Sequence, residues 1–143
     1  MRKLRFISLL VGSVAFAGSA IAQGSAVGGT AGSAAAGGTS ASTVGVGATS
    51  TGEAGKSSSI GSGGSAASTD GRATSSTKIH GNEQNLHGMS KAKGQDGGTW
   101  SKSMTKTKVK AGESVTSRTK SMAHVPGSKP VKSKTTSSST IPQ

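Results

Sequence analysis

Three side chains able to hold a metal ion lie close together: His80, His87 and Met89, in the stretch Ile79–Met89 (IHGNEQNLHGM). Imidazole with a thioether suits copper, and imidazole alone suits zinc or nickel. A helical turn over 81–87 would put Glu83 and His87 on one face, four residues apart, and add a carboxylate. The spacing meets no recurrent ligand motif, and Met104, Met122 and His124 stand far along the chain. The plain alternative is a set of solvated side chains, and no resident cofactor is expected.

A second stretch approximates phosphate-binding chemistry. Ser50–Ser57 (STGEAGKS) matches the second Gly, the Lys and the Ser of G-x-x-x-x-G-K-[ST], with Ser50 at the first Gly position. That chemistry needs a buried strand before the loop and a helix after it, whose amides face the phosphates. Val44-Gly45-Val46-Gly47 reads as a poor strand for the purpose and Ser58–Ala67 (SSIGSGGSAA) as a poor helix. Catalysis needs groups held rigidly by supporting side chains. No nucleophile elbow of the form G-x-S-x-G occurs, so the chain is not expected to be an enzyme.

The third chemistry is cationic. The chain carries a formal charge of +12. Twelve basic residues against Glu83, Asp96 and Glu113 fall within Lys78–Gln143. Lys106, Lys108 and Lys110 recur at every second position, which spaces them about 6.6–6.8 Å apart in an extended chain. With Lys102, Lys129, Lys132 and Lys134 they make up the expected polyanion-binding set. Lys rather than Arg dominates, so the set offers point charges rather than bidentate recognition. The partners this implies are anionic envelope polymers, acidic polysaccharide or nucleic acid, bound non-specifically through counterion release. The alternative is that the lysines only keep the chain soluble.

What must position these groups looks weak. Met1–Arg5 is basic, Phe6–Ala17 is apolar or small, and Ala20-Ile21-Ala22 is a small-x-small cleavage site. That order predicts a signal peptide over 1–22, cut before Gln23, and export to the periplasm or beyond. It leaves no membrane span after cleavage, since the apolar run falls short of roughly 20 residues. If any structure formed there, it would be a helix over Leu4–Ala22. There is no Cys to supply a disulfide scaffold.

Beyond Ala22 only 11 residues are Leu, Ile, Val or Phe, and Trp100 is the sole large aromatic. That lies well below the roughly 20% under which disorder is expected. Residues 23–77 are Gly/Ser/Ala/Thr-rich and neutral, and residues 78–143 are basic and Lys/Ser/Thr-rich. The near-copies Gly24–Ala31 and Gly32–Ser40 read as a flexible linker. The expectation is therefore a mostly disordered low-complexity chain after a signal peptide, with no defined oligomer. At most a marginal β-hairpin forms within 100–125, with Ala111-Gly112-Glu113 near its turn.

Together these features predict an exported, disordered, cationic adhesion or spacer protein. The alternatives are a His/Met metal-binding protein and a glycine-rich matrix or surface component.

Overall fold

Small residues at every second position, punctuated by glycine turns, give the chain a strand period of two along most of its length. The computed structural model describes residues 10–17, 24–52 and 55–142. Among them are nine strands and no helix: β1 (Leu10–Ala17), β2 (Ser25–Ala36), β3 (Thr39–Gly52), β4 (Gly55–Ser68), β5 (Arg72–Gly81), β6 (Asn85–Asp96), β7 (Thr99–Lys110), β8 (Ser114–His124) and β9 (Val131–Thr140). Each sheet is an antiparallel meander, one of order β1-β2-β3-β4 and one of order β5-β6-β7-β8-β9. The sheets stack face to face, β2 over β8, β3 over β7 and β4 over β6.

The turns explain the meander. Gly37-Gly38 joins β2 to β3, and Gly97-Gly98 joins β6 to β7, with φ of 52° at Gly37 and 54° at Gly97. A positive φ at the first central residue matches the twist of two antiparallel strands and suits glycine. Between β7 and β8 the turn is Ala111-Gly112-Glu113, closed by Glu113 N–H donating to the Lys110 carbonyl at 3.1 Å.

The interior is unusual in its chemistry. The large, fully buried side chains are Val109, Val115 and a set of hydroxyls, with Ala26, Ala34, Ala36, Ala41, Ala92 and Ala123 filling the rest. Thr30 Oγ1 of β2 lies 2.7 Å from both Ser117 Oγ and Thr119 Oγ1 of β8. Thr119 continues to Thr105 at 2.6 Å, Thr105 to Thr43 at 2.8 Å, and Thr43 to Ser103 at 2.6 Å. Thr107 joins Ser117 at 2.9 Å, and Ser121 joins Ser103 at 3.2 Å. The result is one chain of buried hydroxyls running back and forth between the sheets. Glycines let the sheets close on it: a Cβ at Gly32 would collide with Thr119, and one at Gly47 would come within 2.5 Å of Val109 Cγ2.

These observations overturn the expectation of a mostly disordered, low-complexity chain. A count of large apolar residues misses how this interior forms. Ser, Thr, Ala and Gly lose little side-chain entropy on burial, and hydroxyls that bond one another bury without the cost of unpaired polar groups. The hairpin within 100–125 is present with its turn at Ala111-Gly112-Glu113. It is not marginal, because β7 and β8 are interior strands of the five-stranded sheet. The near-copies over 24–40 are not linker; they form β2, the hairpin turn at Gly37-Gly38 and the start of β3. The sheets divide at 69–71, several residues before the shift in composition at Thr77.

The expected helix over Leu4–Ala22 is replaced, where it is described, by the edge strand β1, paired with β2 from Leu10↔Ala35 to Ala17↔Gly28. The rest of that segment and the Ala22–Gln23 junction lie outside the described residues. Among the described residues no helix is long and apolar enough to cross a membrane.

Thr30→Val should test the hydroxyl chain. It removes the link between Ser117 and Thr119 without changing shape, and should cost about 1–3 kcal/mol in urea unfolding. Thr136→Val, on an exposed position of β9, should stay within about 0.5 kcal/mol of the parent.

Candidate functional site: a cationic sheet face

Because the hydroxyls and alanines of β5–β9 turn inward, every alternate residue turns outward. On β7 Ser101, Ser103, Thr105, Thr107 and Val109 are buried, while Lys102, Lys106, Lys108 and Lys110 are exposed. The same alternation exposes Lys91 on β6 and Arg118 and Lys120 on β8, and leaves Lys93 half-buried. Lys132 and Lys134 are exposed on β9, and Arg72 and Lys78 on β5. Twelve basic side chains thus share one face.

The acidic residues are elsewhere. Asp70, Glu83 and Glu113 sit in turns, and Asp96 ends β6 on the inward register. Among the described residues no carboxylate occupies an outward position of this sheet. Lys110 pairs with Glu113 at 3.4 Å at the rim, an exposed contact of little energetic weight.

Register sets the pattern across the face. One row reads Lys78, Met89, Lys106, Arg118; the next Lys91, Met104, Lys120, Lys134; the third Lys93, Lys102, Met122, Lys132. Each methionine stands between two cations. Like charges also meet directly across strands, at Lys93↔Lys102, Lys106↔Arg118 and Lys120↔Lys134. Between β5, β6 and β7 a depression of about 300 Å³ is lined by Thr74, Ser76, Lys91, Lys93, Lys102 and Met104. At one end of the sheet Trp100 meets His124, with ring centroids 5.6 Å apart, and Lys102 Nζ lies 5.0 Å from the Trp100 centroid.

Of the seven lysines singled out from the sequence, Lys102, Lys106, Lys108, Lys110, Lys132 and Lys134 come together here. Lys129 does not; it lies in the connection between β8 and β9. Sequence reasoning missed Arg72, Lys78, Lys91, Lys93, Arg118 and Lys120 as members of one surface. The signal was available in K-A-K at 91–93 and R-T-K at 118–120, where basic and small residues alternate as they do on β7.

His80 and His87 are brought together as cross-strand partners of β5 and β6. Their rings stack 5.5 Å apart at 13°, and Met89 is the next outward residue on β6. No helical turn forms over 81–87, so Glu83 is not aligned below His87; it sits in the hairpin turn. Among the described residues no three His, Cys, Asp or Glu side chains form a metal-holding group. Ser50–Ser57 spans the β3–β4 hairpin, in which residues 53 and 54 are not described, and the segment that follows it is strand rather than helix.

The opposite outer surface contrasts with this one. On β2–β4 the outward residues are Val, Ala, Gly and Ser, with Val27, Val44 and Val46 about two-fifths exposed. Among the described residues the outward positions of β2–β4 carry no charge, and the cations gather on the β5–β9 side. No family model, curated protein or solved structure matches the chain.

Directly opposed like charges destabilise a sheet by about 0.2–1 kcal/mol per pair. Lys106→Glu, opposite Arg118, should therefore raise the urea midpoint at low salt, and the gain should shrink in 1 M salt.

Proposed function

We propose that the outer face of β5–β9 binds linear polyanions. The observation that supports it is the gathering of twelve cations, with no carboxylate among them, on one face of a hydrogen-bonded sheet. Their outward positions repeat about every 6.6–6.8 Å along each strand and about 4.7–4.9 Å between strands. A polymer bearing regular negative charges meets several cations at once, whichever way it lies. Counterion release drives such binding, and pre-positioned lysines lose less freedom than those of a floppy chain.

Sulfated or carboxylated polysaccharide and polyphosphate-type polymers fit better than nucleic acid. Single-stranded nucleic acids are held by a cationic groove together with several stacking aromatics. This face offers Trp100 alone among large aromatics, and its ring already lies against Lys102 and His124. An exported protein meeting envelope or matrix polymers is consistent with the basic and apolar N-terminal segment.

Heparin titration of the full chain over a range of salt tests the proposal. The log affinity should fall linearly with log salt. Changing Lys91, Lys93 and Lys120 together to Gln should weaken binding at least tenfold and flatten the slope. Changing Lys56 and Lys129 together to Gln should leave binding within about twofold. Equal loss per lysine wherever it lies would make the charge a solubility device and overturn the assignment.

A further inference from the structure

We propose that His80, His87 and Met89 form a copper(I) site at the tip of the β5–β6 hairpin, independent of polyanion binding. The hairpin is closed by a two-residue turn, Glu83-Gln84. Asn82 and Asn85 exchange backbone hydrogen bonds of 2.9 and 3.2 Å across it. Asn82 Oδ1 also accepts from the backbone N–H of Gln84 at 3.1 Å and of Asn85 at 2.8 Å. These bonds fix the register, and the register places His80 opposite His87.

The two imidazoles already face each other, 5.5 Å between centroids and 13° from parallel. The lone pairs lie in the ring planes, so each ring must turn about its side-chain bonds to aim one nitrogen at a shared ion about 2.0–2.1 Å away; the cross-strand pairing keeps both rings within reach of that point. His80 belongs to a strand exposed along its whole length, and an ion enters from solvent. Met89 supplies a thioether two residues beyond His87 on the same face of β6.

The surroundings select the ion. Lys78 lies opposite Met89, and Lys108 lies opposite His87. Their repulsion of a monovalent ion is half that of a divalent one at the same place. Among the described residues no carboxylate occupies an outward position of the sheet, and Glu83, in the turn, does not form a three-ligand group with the two histidines, so the strand face itself offers a harder divalent ion no carboxylate. A thioether with imidazoles is a soft set that favours copper(I).

Anaerobic competition for copper(I) against a chromophoric chelator, using the full chain, decides the matter. One equivalent should be bound. His80→Gln and His87→Gln should each weaken it at least tenfold. Met89→Leu should weaken copper(I) severalfold while leaving zinc(II) affinity unchanged. His124→Gln and Met104→Leu should have no effect. Far-UV circular dichroism of each variant reports the strand content, and heparin binding by the His80→Gln/His87→Gln variant should persist. Undiminished copper(I) binding by that double variant with its strands intact would overturn the site. So would tighter binding of zinc(II) than of copper(I) by the parent chain.

Discussion

The structure depends on hydroxyl groups bonding one another in the dark between two sheets. Thr30 and Thr43 of the first sheet reach Ser117, Thr119, Ser103 and Thr105 of the second. Ser103 also donates to the Gly32 carbonyl at 3.0 Å. A lone buried hydroxyl is a liability, whereas a linked series, in which a hydroxyl can donate to one neighbour and accept from another, is not. Short side chains make the linkage achievable, because only closely approaching sheets bring hydroxyls from both sides into range. The glycines at 32, 45 and 47 permit that approach, and the clusters around Val109–Val115 and Ala36–Ala123 cap the two ends of the hydroxyl series with apolar contacts.

The cationic face follows from the same interior. A strand whose inward residues are Ser and Thr can carry Lys at each outward position without losing its register, since the inward set still identifies which side is buried. The opposed lysines repel, and the backbone ladders with the hydroxyl series hold them in place regardless. Concentrating charge against its own electrostatic interest on one side, while the outward positions of β2–β4 carry none, is what gives the surface a chemical identity.

The methionines and histidines add a second character to that surface. Met89, Met104 and Met122 separate cations along three successive rows and interrupt what would otherwise be unbroken lines of like charge. The histidines stand at the two ends of the sheet, His80 and His87 near the β5–β6 turn and His124 beside Trp100. The face is thus a field of lysine with distinct chemistry at its ends.

The sequence by itself determined the charge, its concentration from residue 78 onward once the basic N-terminal segment is set aside, the alternation on β7, the turn at Ala111–Glu113 and the closeness of His80, His87 and Met89. The Gly-Gly pairs at 37–38 and 97–98 are hairpin turns that their setting among Ser, Ala and Gly disguises as flexible linker. Tertiary structure alone decided that the chain folds, because the partners of Thr30 lie 87 and 89 residues away. No local count of apolar residues reveals whether a hydroxyl will find another hydroxyl. Hairpin register within the second sheet gathered Lys91, Lys93, Arg118 and Lys120 beside the lysines of β7 and turned two histidines seven residues apart into neighbours. Which side chains meet across a sheet depends on register, and register here is fixed by turns and by what the inward face bonds to.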